Sequence, residues 1–361
     1  MTLTKLGWNA RFGAAFEALE KTEPLAPARV LREDRDRYRI ACEDGERPAT
    51  LAGRLRHEVT DRVALPAVGD WVAIRTDEAS DRESPATIVA VLPRSSAFVR
   101  KDAGETTESQ VLVANVDTVF LVTGLDGDFN VRRIERYLAA AWESGAEPVV
   151  LLNKADVAAD LPARLAPVEA VAMGVPIVTL SALNGAGLPA LAPWIAPGRT
   201  IALLGSSGVG KSTIVNALAG ESRQATQPVR EWDSRGRHTT THRELVPLAG
   251  GAVLLDTPGL RLLKLWSAED GIAGVFPDVA GFAASCRFRD CRHAEEPGCA
   301  VRAAADSGAL PAERLAAWRK LVREQEWLEA RQDARLRAPR EARWKAIHNS
   351  LKHHPKFRRE R

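Results

Sequence analysis

The sequence predicts a multidomain α/β protein: a small N-terminal β-barrel, a parallel-sheet α/β domain, and a C-terminal helical domain with a metal site. Three observations carry this. Short β segments broken by turn residues fill positions 28–92. From about Val111 to Leu265, apolar runs alternate with helical stretches, the pattern of a parallel sheet covered by helices. Beyond them, three of the four cysteines gather round a histidine.

Length and composition bound the rest. A chain of 361 residues suits two or three domains, and 45% apolar with 27% charged residues excludes wholesale disorder. No apolar stretch reaches the ~18–20 residues needed to cross a bilayer. The opening MTLTKLGWNARFGAAFEALEK has no continuous apolar core of a signal peptide. Four cysteines are too few for a disulfide scaffold, and a reducing, cytosolic location is expected. Charge is uneven. Arg331–Arg361 holds eleven basic and three acidic residues, a net +8 against −5 for the rest of the chain. A nucleic-acid footprint and a merely solvated tail both fit that charge.

Residues 1–27 read as an N-terminal extension with a short amphipathic helix and a Pro-containing linker. Residues 28–95 hold the segments ARVL, RYRIACE, ATLAGRLR, GDWVAI and ATIVAVL, with a hairpin turn at Asp44–Gly45. Five short strands in ~65 residues suit an OB-type barrel, a fold that often binds RNA. Residues 96–265 form the α/β domain. Its apolar runs are VDTVFLVTGL, EPVVLLN, VPIVTLSAL, TIALLGS and GAVLLDT, and its helices are VRRIERYLAAAWES and KSTIVNALAG. Residues 266–337 form the metal-binding and helical domain, whose segment AERLAAWRKLVREQEWLEA sets Leu315, Trp318, Leu321, Val322 and Leu328 near one packing face. Residues 338–361 are the basic tail.

Gly205-Ser206-Ser207-Gly208-Val209-Gly210-Lys211-Ser212 matches G-x-x-x-x-G-K-S in full, after the strand TIALL and at the start of a helix continuing through Thr213. The glycines let backbone N–H groups wrap phosphates, and the helix N-terminus adds partial positive charge. Lys211 is expected on the β- and γ-phosphates and Ser212 on Mg²⁺.

Asn153-Lys154-Ala155-Asp156 follows the strand VVLL. The Asp156 carboxylate can accept from guanine N1–H and the 2-amino group. Adenine lacks both donors, so an ATP complex would leave the carboxylate unpaired. Asn153 supports O6/N7, and Ser181-Ala182 opens the loop whose backbone meets guanine O6. Asp256-Thr257-Pro258-Gly259 fits the loop in which Asp256 reaches Mg²⁺ through water and the Gly259 N–H senses the γ-phosphate. The segment 235–242 stands where a mobile loop supplies a threonine to Mg²⁺; Thr240 is chosen, with Thr239 and Thr241 open. The residue after Gly259 is Leu260, which cannot orient water as a glutamine would. His238 is therefore the expected hydrolytic group, ahead of His242, beside Lys211 and Thr240.

In the usual order the phosphate loop comes first and the guanine motif last; here N-K-A-D, S-A-L, the phosphate loop, the threonine-rich loop and D-T-P-G follow one another. This is a circularly permuted P-loop GTPase domain. Permutation keeps each motif at the end of its own strand and feeds D-T-P-G directly into the C-terminal module. There Cys286, Cys291, His293 and Cys299 supply three thiolates and an imidazole, the set of a closed structural Zn²⁺ site, with the Pro297–Gly298 turn bringing Cys299 back. Cys42 reads as a core residue of a strand.

With these motifs the chain resembles the circularly permuted, ribosome small-subunit-dependent GTPase family (RsgA/YjeQ type). The resemblance runs from about residue 28 to 330 and rests on PAVGDWV (66–72), N-K-A-D, GSSGVGKST, GRHTTTHREL, D-T-P-G and the C-x4-C-x-H-x5-C site. It implies GTP/GDP, Mg²⁺ and one structural Zn²⁺ as cofactors, and a late assembly factor of the small (30S) ribosomal subunit. It further implies turnover stimulated by that subunit and barrel and zinc domains on rRNA. A hydrophobic residue in place of the glutamine, here Leu260, also agrees with the family. The alternatives are a GTP-controlled RNA-binding module with incidental hydrolysis, and a GTPase acting on protein or metal targets. No membrane partner is expected, and the lack of a heptad run predicts a monomer.

Overall fold

The computed structural model describes residues 2–19, 24–34, 37–58, 62–76, 83–101, 109–220, 244–248, 250–256 and 269–332. A 3-10 turn (Leu3–Leu6) precedes α1 (Ala10–Glu17). Asn9 caps α1, its side chain accepting from the Arg11 and Phe12 N–H groups, two donors that the first helical turn cannot satisfy itself. Buried Phe12 and Phe16, with Trp8, pack round Trp71 of the barrel.

The barrel comprises β1 (Ala26–Asp34), β2 (Arg37–Cys42), β3 (Gly45–Leu51), β4 (Trp71–Arg75) and β5 (Ala86–Val91). Its pairing order β1-β2-β3-β5-β4 closes through a direct β1–β4 ladder, with β3 and β5 parallel. This is the OB-type barrel expected from the strands. Cys42 pairs with Gly45, so the two-residue hairpin loop is Glu43–Asp44, one position before the expected turn, and Gly45 takes φ +126°. ATLAGRLR is not one strand. It leaves β3 after Leu51 and becomes α2 (Gly53–Glu58), in keeping with its straight-chain Leu and Arg residues. Cys42 is buried in β2, as expected of a core residue.

A second hairpin, β6 (Ala97–Lys101) and β7 (Ser109–Ala114), joins the barrel to the next domain. PAVGDWV forms this joint. Gly69, at φ +95°, lies so close to Ala114 that a Cβ would collide with the Ala114 carbonyl. Arg29 is buried here. It donates to the carbonyls of Leu6, Gly69 and Asn115 and to Thr200 Oγ1, tying the N-terminal segment, barrel and α/β sheet together. Burial brings its pKa down to about 10, against the pull of Asp117 and Asp70.

The α/β domain uses β8 (Thr118–Gly124), α3 (Val131–Ser144), β9 (Glu147–Asn153), α4 (Leu161–Val171), β10 (Ile177–Thr179), β11 (Thr200–Leu204), α5 (Lys211–Ala219), β12 (Glu244–Pro247) and β13 (Val253–Asp256). The order β10-β9-β8-β11-β13 is parallel throughout, β12 is antiparallel to β13, and Arg32 of β1 pairs with Glu244 of β12 to join sheet and barrel. All five expected strands are present, and their near-continuous apolar runs suit a sheet covered on both faces. The helix α4 is not among the helices expected above; Pro162 stands at its start and Pro167 within it, and Asp160 caps it, accepting from the Ala163 N–H at 3.0 Å.

Among the described residues that follow are the helices α6 (Glu269–Val275), α7 (Pro277–Ala283), α8 (Ala300–Asp306) and α9 (Ala312–Gln332). In α9, Leu315 and Leu321 are buried, and Trp318 and Val322 pack partly against the same core. Arg314 of α9 pins this region to α3. It meets Asp278 at 2.9 Å, buried Glu135 of α3 at 3.5 Å and the Val275 carbonyl, with its guanidinium 4.1 Å from the Phe276 ring centre. Among the described residues, no helix is long and apolar enough to cross a membrane.

Candidate nucleotide site and metal centre

Five parallel strands send their C-terminal ends to one edge of the sheet. From β8 the chain moves outward through β9 and β10; β11 then pairs on the other side of β8 and leads to β13. The switch in direction therefore lies between β8 and β11, and ligands of open α/β sheets bind at such a crevice. The phosphate loop follows β11, N-K-A-D follows β9, Ser181-Ala182 follows β10, and Asp256 ends β13. Permutation changes the order of these motifs along the chain and leaves their edge unchanged.

Asn153 joins three of these pieces. Its amide nitrogen donates to the Val209 carbonyl of the phosphate loop at 2.8 Å, and its amide oxygen accepts from the Ala182 N–H at 3.0 Å. Those two partners fix which way the amide points. The Leu125 N–H donates to the Asn153 carbonyl at 2.8 Å, so the loop after β8 is tied to the same residue. Asn153 is buried and Asp156 is exposed on the 3-10 turn Ala155–Val157, with the Ala155 N–H anchored to the Leu180 carbonyl. The side chain of Asp156 is thus presented outward beside the anchored loop. The Ser181 hydroxyl is buried with no hydrogen-bond partner among the described residues, an acceptor and donor left over at the place expected for a guanine base.

The phosphate loop is shaped for a close approach. A Cβ on Gly205 would collide with the Val122 carbonyl, and one on Gly210, at φ +93°, with the Asn153 amide nitrogen. Gly205 and Val209 are buried, while Ser207 and Gly208 are exposed at the loop's outer turn. Lys211 Nζ donates to the Gly205 and Ser206 carbonyls at 2.6 and 2.5 Å, so its ammonium is held at the loop. Ser212 and Thr213 stand half-buried in the first turn of α5, where free helical N–H groups favour anions. Among the described residues this arrangement fits a guanine nucleotide; of the expected Mg²⁺ ligands, Ser212 is the one whose side chain is described.

Sequence reasoning missed the loop after β8. Asp126 Oδ2 meets Lys154 Nζ at 2.5 Å, and Asp128 Oδ2 meets Arg133 of α3 and the Ser206 hydroxyl at 2.6 and 2.5 Å. Partial burial pushes both carboxyls up, but their hydrogen bonds and cationic partners outweigh it and hold them below the usual carboxylate range. The signal lay in D-G-D standing directly after an apolar strand of the same sheet. His238, Thr240 and its alternatives Thr239 and Thr241, His242, Gly259, Leu260 and the tail beyond residue 332 lie outside the described residues.

The four expected metal ligands do converge. The donor atoms of Cys286, Cys291, His293 and Cys299 all lie within 4.8 Å of one another. His293 Nδ1 is 3.5 Å from Cys286 Sγ and 3.4 Å from Cys299 Sγ, and those two sulfurs are 4.0 Å apart. A tetrahedral Zn²⁺ with bonds of about 2.3 Å to sulfur and 2.0–2.1 Å to nitrogen would need edges of roughly these lengths. Cys299 caps α8, and His293 takes φ +56° between the Cys291 and Cys299 branches. Burial pushes the imidazole pKa down against the opposing Glu296 carboxylate, favouring the neutral ring that a metal requires. Burial pushes the Cys286 thiol up, but the Val301 and Ala300 N–H groups outweigh it and favour the thiolate. Four ligands leave no open position, so the site fits a structural ion.

The comparisons with known proteins agree with this geometry. Residues 91–266 match the model of the RsgA GTPase family. A relative from Opitutus terrae, named small ribosomal subunit biogenesis GTPase RsgA, is 52% identical over 96% of each chain. This chain belongs to the RsgA GTPase family. Its enzyme class is accordingly that of a GTPase. The crystal structure of YjeQ from Thermotoga maritima superposes with a TM-score of 0.62 at 25% identity, covering 83% of this chain and 98% of that one. The structure of YloQ, described as a circularly permuted GTPase, gives a TM-score of 0.59 at 20% identity over 87% and 99%, a likeness of fold. The permuted RsgA-type domain, the closed five-strand barrel and the Cys3His cluster thus stand together in one chain.

Proposed function

We propose that this RsgA-family GTPase is a late maturation factor of the small ribosomal subunit, with GTP turnover stimulated by that subunit. Asn153 and Asp156 would select guanine, with the Ser181-Ala182 backbone against O6. Lys211 would neutralise the β- and γ-phosphates, while Ser212 and Thr240 would hold Mg²⁺ and Asp256 would reach it through water. The bound metal ion supplies charge neutralisation on the transferring phosphoryl group. Gly259 would report the γ-phosphate, and His238 would act where Leu260 cannot. Cys286, Cys291, His293 and Cys299 would hold one Zn²⁺ that fixes the C-terminal module.

The observation that supports this reading best is the Asn153 bridge, which unites the guanine motif, the phosphate loop and the Ser181-Ala182 loop at the sheet's switch point. The barrel and the Cys3His module stand on either side of the GTPase domain in the chain and would contact rRNA in a cytoplasmic monomer. The name carried by the Opitutus terrae relative supports the choice of subunit. The test is GTP turnover with purified small subunits, with large subunits and ATP as controls. Stimulation by small subunits alone is expected. Tight RNA binding without stimulation would favour the alternative, a GTP-controlled RNA-binding module with incidental hydrolysis.

A further inference from the structure

The loop after β8 leaves the central strand on one side of the switch point, and the phosphate loop leaves β11 on the other. Its two carboxylates, Asp126 and Asp128, are acceptors and offer a phosphate no donor. Each carboxylate instead grips a residue of a nucleotide-binding motif. Asp126 Oδ2 is 2.5 Å from Lys154 Nζ of N-K-A-D, and its Oδ1 accepts from the Asp128 N–H at 3.2 Å. Asp128 Oδ2 accepts from the Ser206 hydroxyl at 2.5 Å and from Arg133 at 2.6 Å, and Arg133 also lies 2.6 Å from the Ser206 hydroxyl oxygen.

We infer that Asp126 and Asp128 are positioning residues of the nucleotide site, setting Lys154 and Ser206 in their binding conformations before the nucleotide arrives. The inference rests on the guanine-nucleotide reading of this site.

Three features favour positioning over simple support of the fold. The paired side chains retain between 23% and 37% of their exposure, and ion pairs that wet add little to folding stability. Lysine is among the side chains that lose most rotamer freedom when ordered, so holding Lys154 beforehand removes that cost from binding. Lys154 also stands in the left-handed backbone region, at φ +66°, directly after Asn153. Its backbone is thereby set by the same turn that its side chain spans, and Asp126 closes the far end. Asp128 does the same for the second residue of the phosphate loop, and Arg133 carries that contact into the first turn of α3.

The test uses the full-length protein and a fluorescent GDP. Asp126→Ala and Asp128→Ala should each weaken GDP binding on the order of tenfold, about 1.4 kcal/mol. GTP turnover should show a raised KM with kcat at saturation unchanged, and the melting temperature should hold. Acting through a partner means non-additivity. Asp126→Ala with Lys154→Ala should bind no more weakly than Lys154→Ala alone, and Asp128→Ala with Ser206→Ala no more weakly than Ser206→Ala. Additive losses, unchanged GDP affinity, or a lowered melting temperature with affinity intact would each overturn the inference while leaving the nucleotide site standing. Failure of the wild-type protein to bind GDP at all would take down the site reading, and this inference with it.

Discussion

Asn153 is a single buried side chain on which the geometry of three loops depends, and its truncation can be worked through. Asn153→Ala removes the donor to the Val209 carbonyl at 2.8 Å and the acceptor from the Ala182 N–H at 3.0 Å. Leaving a buried partner unpaired costs about 1–3 kcal/mol for each group. In the free protein the loops can relax and water can replace the amide, so much of the penalty is deferred. Nucleotide binding must then bring the phosphate loop and the Ser181-Ala182 loop back together without their bridge. Taking ~1.5 kcal/mol for each bond gives ~3 kcal/mol, or on the order of a hundredfold in Kd. The assay is titration of a fluorescent GDP, with urea denaturation alongside to separate binding from folding. A GDP affinity within threefold of wild type, with a clear loss of stability, would show that Asn153 supports the fold alone.

Three further outcomes follow from the same reasoning. Arg314→Met leaves Glu135 with Arg132, 3.1 Å away, and takes the guanidinium from Asp278 and the Val275 carbonyl; loss of these charge-assisted bonds should lower stability by about 1–3 kcal/mol, read as loss of hydrogen-exchange protection in α6 and α9, and unchanged protection would refute the role given to that contact. Cys299→Ser should reduce bound zinc from about one ion per chain towards none by elemental analysis, and lower the thermal midpoint, whereas full zinc content would dismiss the closed four-ligand site. Asp128 has a depressed carboxyl pKa, so its grip on Arg133 and Ser206 is whole above the usual value near 3.9 and is lost as pH falls through the folded value. Asp128→Asn should therefore flatten the acid limb of a GDP-affinity profile below about pH 4, with the urea midpoint at neutral pH unchanged; an unaltered affinity profile would mean that the ionised pairing does nothing for binding.

The sequence alone determined the parts. A full phosphate-loop motif after a strand, N-K-A-D after another and a Cys3His spacing are local statements, each fixed by a few residues whose backbone needs or donor atoms are particular. The apolar runs likewise fixed the five parallel strands, because a strand buried on both faces has no other composition open to it. Tertiary structure decided what those parts share. Nothing local in Asn153 shows that one amide reaches both Val209 and Ala182, 56 and 29 positions away. The roles of Asp126 and Asp128 were hidden for the same reason: D-G-D reads as an ordinary turn until β8 and β11 are side by side. The helices α4 and Gly53–Glu58 escaped the local reading, since packing outweighs propensities of a few tenths of a kcal/mol per residue. Arg29 is the clearest case, since nothing local in the segment ARVL marks its arginine as buried. The folded chain buries it because only the assembled joint of N-terminal segment, barrel and sheet supplies enough carbonyl and hydroxyl oxygens to replace water around its charge.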